Sequence, residues 1–183
     1  MLTYEHVGGA EDVTEYGALD MPIDLKTGVT FVRISRGKFS QLASELAGLC
    51  VTNPWRGYGS AVFLELGRLR KLPHIFADGP SLKGQATVMI EWSWRVEGRR
   101  SVQFGSWSGD RKMDNGIMSL KGVRAEAFSL EGSLPELRIM FDDGRALQSF
   151  TTIEGQPEWC LFLKDESWLH VARGTLRHER TTA

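Results

Sequence analysis

The sequence predicts a mainly β protein: two related antiparallel β-meanders forming a sandwich or barrel-like core, with one short packed α-helix near residues 36–47. Three observations predict it. Ala86–Glu97 (ATVMIEWSWRVE) alternates without a slip, with Val88, Ile90, Trp92, Trp94 and Val96 on one face, and successive strand side chains point to opposite faces. Turn-forming residues interrupt nearly every other apolar stretch. Three landmarks also recur in order. Leu46-x-Gly48 matches Leu120-x-Gly122, Gly59-Ser60 matches Gly132-Ser133, and Gly84-Gln85 matches Gly155-Gln156, at spacings of 74, 73 and 71 residues. A repeat of this kind implies two similar units, about 46–110 and 117–179, inside a single domain 1–183.

Each element has a local reason. Residues 1–27 show no period and are expected to be an irregular lead-in. Gly28–Ile34 is rich in β-branched residues and reads as the first strand. Phe39, Leu42, Ala43 and Leu46 recur at helical spacing, with Ser35 or Ser40 to cap the start and Gly48 to stop the helix. Leu49–Thr52 is a short strand, and 53–59 (NPWRGYG) reads as an aromatic loop before the strand Ser60–Leu66. Residues 67–85, with two prolines and three glycines, read as a long connection. The strand 86–97 turns at Gly98-Arg99-Arg100 into Ser101–Gly105, and 105–116 (GSWSGDRKMDNG) reads as a loop.

The second half alternates more cleanly. Val123, Ala125 and Ala127 share a face, as do Leu137, Ile139 and Phe141. Asp142-Asp143-Gly144 forms a hairpin turn into Arg145–Phe150. After Gly155-Gln156-Pro157, Trp159, Leu161 and Leu163 line one face, and Asp165-Glu166 turns the chain into Ser167–Ala172. Arg173-Gly174 opens the last strand, Thr175–His178. Four tryptophans (Trp92, Trp94, Trp159, Trp168) fall on strands and are expected in the core, whereas Trp55 and Trp107 fall in loops.

Composition excludes several classes. Hydrophobic residues make up 42% and charged residues 25%, which is ordinary for a folded domain and wrong for a disordered one. Lys and Arg total 22 against 23 Asp and Glu, and no basic stripe offers the phosphate contacts that supply most nucleic-acid affinity. No stretch approaches a membrane span, and the N-terminus lacks the basic start and apolar core of a secretion signal. Cys50 and Cys160 both lie in apolar stretches and are expected to be reduced thiols in a cytoplasmic protein.

Chemical motifs are few. GSWSG at 105–109 has Trp107 where a nucleophile elbow needs serine. Gly57-Tyr58-Gly59-Ser60 leads into a strand with no following lysine, so it has no helix N-terminus to hold phosphate. His6, His74, His170 and His178 lack metal-ligand spacing, so neither metal nor cofactor is expected. Asp142-Asp143 belongs to a turn, and Glu91 shares a face with Ser93 and Arg95, which a salt-bridged outer face explains. No catalytic residue is assigned. Pro54-Trp55-Arg56-Gly57-Tyr58 is different, since Trp, Arg and Tyr are the residue types enriched at binding hot spots. The expected contact set is therefore Trp55, Arg56 and Tyr58, with Glu91 and Arg95 as polar additions.

The blocks 53–67 (NPWRGYGSAVFLELG) and 136–171, together with the Trp92–Arg95 strand, resemble small uncharacterised bacterial β-rich proteins of the polymorphic-toxin immunity type. The resemblance covers roughly residues 45–178 and rests on turn glycines and strand tryptophans, so it carries over no functional residue. It implies a β-rich fold and a protein partner, as in a non-enzymatic inhibitor that occludes a toxin. The alternative is a carrier with an apolar cavity lined by Trp92, Trp94 and Trp159.

Overall fold

The computed structural model describes residues 29–72, 82–152 and 158–181. The expected lead-in 1–27, residues 73–81 of the 67–85 connection and the Gly155-Gln156-Pro157 turn lie outside them. The chain is mainly β and antiparallel throughout its described pairings.

Strand β1 (Val29–Arg33) leads into helix α1 (Arg36–Ser44), followed by β2 (Val51–Arg56), β3 (Val62–Leu66), a small hairpin of β4 (Arg70–Lys71) and β5 (Leu82–Lys83), then β6 (Ala86–Ile90). Strands β7 (Ser93–Glu97) and β8 (Val102–Gly105) precede helix α2 (Asp110–Met118). The rest is β9 (Ala125–Glu131), β10 (Glu136–Phe141), β11 (Ala146–Phe150), β12 (Trp159–Phe162), β13 (Trp168–Ala172) and β14 (Thr175–Thr181).

These strands form a seven-stranded sheet, β1-β14-β13-β12-β6-β3-β2, and a five-stranded sheet, β8-β7-β11-β10-β9. The meander β2-β3-β6 lies in the first sheet and β9-β10-β11 in the second. Each meander then sends its next strand across. β7 leaves β6 to pair with β11, while β12 leaves β11 to pair with β6. One apolar cluster joins both sheets and both helices, including Phe39, Val88, Trp94, Ile117, Ile139 and Trp159. The helices are exchanged likewise, with α1 packed on β9 and α2 on β2.

Helix α1 begins where the sequence places it. The Ser35 side chain accepts a hydrogen bond from the Lys38 N–H at 3.2 Å, and Gly48 beyond the helix has a φ of 83°. Its buried face is Phe39 and Ala43, with Phe39 edge-on to Trp159 at 5.7 Å.

Three expectations are corrected. The strand expected over 86–97 is two strands in different sheets, with a corner at Glu91-Trp92. Alternation hid the corner because Val88, Ile90, Trp94 and Val96 keep the same parity on both sides of it, and all four are buried. Only Trp92 departs, at 50% exposed. The loop expected at 53–59 is strand as far as Arg56. Pro54 fits there because β2 pairs only with β3, and an edge strand tolerates a missing N–H. Finally, the loop expected at 105–116 contains the start of a second helix, so the described residues hold two helices rather than one. Met113, Ile117 and Leu120 bury its inner face, while the Gly116 position lies against the Phe104 ring.

The first two landmark pairs fall on matching elements, since α1 and α2 begin at residues 36 and 110 and β2 and β9 at residues 51 and 125. Strands β6 and β12, following the third pair, are instead neighbours in one sheet, with Ile90 opposite Trp159.

Candidate functional site

Neighbouring strand residues diverge, and this separates the expected contact residues. Trp55 lies opposite Phe63 and stacks on it at 3.9 Å with an interplanar angle of 6°. Arg56 turns to the other side of the sheet, where its guanidinium donates to Asp110 at 2.8 Å and lies 3.1 Å from Asp114 on α2. Tyr58 stands fully exposed in the β2–β3 turn. Glu91 sits half-buried at the β6–β7 corner. Arg95 lies on the outward face of the five-stranded sheet, bonded to Glu97 at 2.6 Å and stacked over the Phe150 ring at 4.3 Å. The five residues therefore do not share one face.

What the structure brings together is a set of three turns. The Trp94 indole N–H donates to the Ser60 carbonyl at 2.7 Å, and the Ser60 hydroxyl donates to the Trp92 carbonyl at 3.2 Å. The Trp94 backbone N–H donates to the Ser106 hydroxyl at 3.2 Å, and the Ser106 N–H returns a bond to the Trp94 carbonyl at 2.9 Å. These bonds tie the β2–β3 turn, the β6–β7 corner and the β8–α2 turn together, and the Arg56–Asp110 pair adds a further brace. Each turn carries an exposed aromatic: Tyr58, Trp92 at 50% and Trp107 at 92%.

The Trp107 turn is closed on itself. Gly105 N–H donates to the Ser108 hydroxyl at 3.1 Å, and Ser108 N–H donates to the Gly105 carbonyl at 3.0 Å. Beside it runs an open groove of about 470 Å³, whose lining includes Arg95, Val102, Trp107 and Phe150. Among the described residues Arg95 is the one charged side chain in that lining. Trp107 is visible in the sequence as a loop tryptophan, whereas alternation places Trp92 in the core because it does not register a corner.

The tryptophans expected to line a carrier cavity do not line one together. Trp92 is at the surface, whereas Trp94 and Trp159 fill the core, edge-on to Phe104 at 6.0 Å and Phe39 at 5.7 Å. Their indole N–H groups are both satisfied, the Trp159 N–H by the Pro135 carbonyl at 2.9 Å. Trp168 is half-buried.

Other polar groups are engaged structurally. Ser167, His178 and Asp165 form a chain in which Ser167 bonds Asp165 at 2.5 Å and His178 at 2.9 Å. Burial, with help from Arg180, holds the His178 imidazole below its usual range. His170 and His178 occupy opposite faces of the sheet, since their register partners are Arg177 and Leu169. His6 and His74 lie outside the described residues. Burial pushes the Cys160 thiol up to about 12, reinforced by the charges of Glu91 and Glu179. Cys50 and Cys160 are both free thiols.

Among the described residues no group of three or more His, Cys, Asp or Glu side chains could hold a metal ion, and no helix is long and apolar enough to cross a membrane. No family model, no curated protein and no solved structure matches the chain.

Proposed function

We infer that this chain is a non-enzymatic binding protein that recognises another protein through the aromatic end formed by Tyr58, Trp92 and Trp107. The observation carrying this reading is Trp107, 92% exposed on a turn that its own hydrogen bonds hold shut. A large apolar side chain exposed on a rigid turn costs hydration in the free protein and loses little conformational entropy on contact, which is how aromatic anchors act at interfaces. Trp92 and Tyr58 extend the anchor across two further turns, and Arg95 offers a cation at the side of the groove.

In its most concrete form the protein is a cytoplasmic inhibitor of the immunity type, and its mechanism is occlusion. The aromatic end covers the partner's functional cleft without any chemistry of its own. Capture experiments with the tagged chain and with a Tyr58→Ser, Trp92→Ala, Trp107→Ala variant test this. A protein recovered in stoichiometric amount by the parent and lost by a variant with unchanged circular dichroism supports the reading. Equal recovery by both rules it out.

A further inference from the structure

We propose that the outer face of the seven-stranded sheet, at its β1 edge, binds a phosphate group between Arg33, Arg177 and His170. This site stands apart from the aromatic end and does not depend on it.

The register builds the site. Residues directly opposite in antiparallel strands point to the same side. Arg33 of β1 pairs with Arg177 of β14, and Arg177 pairs with His170 of β13. Three nitrogen-rich side chains therefore stand in one row on three adjacent strands, about 5 Å apart in the sheet plane. Like charges directly opposite each other are destabilising unless something neutralises them.

Nothing among the described residues does so. Neither Arg33 nor Arg177 is within ion-pair distance of a carboxylate among the described residues. Glu179, two residues along β14 on this face, is taken by His170, whose Nε2 lies 2.6 Å from its Oε1. His170 is 7% exposed, yet its Nδ1 is buried without a hydrogen-bond partner, and so is Nε of Arg177. A buried donor or acceptor left unmet loses its hydration with nothing in return. Arg177 Nε is always a donor, and His170 Nδ1, whose ring already gives its Nε2–H to Glu179, becomes one in the imidazolium form, so beside Arg33 both atoms fit a site that an oxyanion completes.

The scaffold holds these groups in place. The Arg177 guanidinium lies over the Phe31 ring at 4.3 Å, a stacking that fixes its plane. The Glu179 carboxylate fixes the His170 ring through Nε2. Arg33 is on the edge strand and exposed, so the row opens to solvent on that side. Two guanidinium forks and the Nδ1–H of an imidazolium provide more donors than a carboxylate has oxygens to meet. A dianionic phosphate group has enough oxygens for them, and arginine forks suit its geometry.

Titration of the full chain with inorganic phosphate and with glycerol phosphate, at constant ionic strength held by chloride, tests the site. Thermal melting and calorimetry are the readouts. Phosphate is expected to raise Tm in the parent, and Arg33→Gln, a change at an exposed edge, is expected to weaken binding roughly tenfold or more, the loss of one charge-assisted contact. Arg177→Gln is expected to abolish it. Binding of both probes identifies a phosphate carried on a small organic group, and binding of inorganic phosphate alone identifies the free ion. No phosphate-dependent shift in the parent, or an equal shift in Arg33→Gln, overturns the proposal.

Discussion

Trp55 and Arg56 are adjacent in the chain and serve opposite sides of one strand: Trp55 stacks on Phe63 at 3.9 Å, while Arg56 reaches Asp110 at 2.8 Å. One residue secures the outer face of the seven-stranded sheet and the other ties down helix α2. Changing them should therefore have separable consequences. Trp55→Ala should lower stability by about 1–2 kcal/mol, from the lost stack and its partial burial. Trp55→Phe should cost less, since it keeps a stacking ring and removes an indole N–H that is buried without a partner. Urea unfolding of the two variants measures the difference. Arg56→Gln should instead speed amide exchange in the first turn of α2 with little effect on β2.

Helix α2 carries the second prediction. Ile117 is 1% exposed in the shared core, so Ile117→Ala should destabilise by about 2–5 kcal/mol, the cost of a large-to-small change at a buried site. Had 105–116 been a surface loop throughout, residues just beyond it would tolerate such a change. Denaturant midpoints of Ile117→Ala and of the exposed-site control Met118→Ala distinguish the two cases.

Gly116 reverses an ordinary rule. Gly→Ala inside a helix usually stabilises by roughly 0.5–1 kcal/mol. Here a Cβ would run into the Phe104 ring, itself edge-on to Trp94 at 6.0 Å, so the ring must move against the core. Gly116→Ala should destabilise by about 1–3 kcal/mol, as overpacking does. Thermal melts give the sign directly.

Cys160 sets an alkaline limit. Its thiol is pushed up to about 12 from an ordinary 9.0, so the folded chain holds this proton more tightly than the unfolded chain. A group with a raised folded pKa contributes stability that is complete below its unfolded pKa and lost as pH rises from there toward the folded value. Stability should therefore decline above about pH 9, and Cys160→Ser should flatten that decline. At pH 8 the folded protein should resist alkylation at Cys160 until denaturant is added, which peptide mapping after iodoacetamide would show.

An acidic limit follows from Glu97. Burial pushes its carboxyl up, but hydrogen bonds from Arg95 and Arg138 outweigh that and hold it below the usual carboxylate range. A lowered folded pKa gives stability present above the unfolded value and lost as pH falls through the folded one. Glu97→Gln should therefore reduce the loss of stability on acidification below about pH 4.5.

Much of this fold is legible in the sequence because period-two alternation reports burial directly. Leu137, Ile139 and Phe141 are all buried, and Gly144 takes the positive φ of 82° that the hairpin requires. Helix α1 is legible because Phe39 and Ala43 bury at helical spacing behind a serine cap. Helix α2 is less so, since Asp110, Asp114, Asn115 and Gly116 imitate a loop while its signal, Met113, Ile117 and Leu120, needs a window longer than the apparent turn. The candidate site was only partly legible. Tyr58 lies in a turn the sequence singles out, but its grouping with Trp92 and Trp107 depends on the corner at Glu91-Trp92 and on hydrogen bonds between distant turns. The Arg33–Arg177–His170 row is likewise fixed by which strands pair, which local patterning does not encode.

The central claim is that recognition occurs at the three braced turns. Hydrogen–deuterium exchange of the captured complex against the free chain tests it most directly. The account predicts new protection in 57–60, 91–93 and 105–109, with the outer sheet face around Trp55 and Phe63 unchanged. Protection confined to that face, with the three turns exchanging as in the free chain, would contradict it.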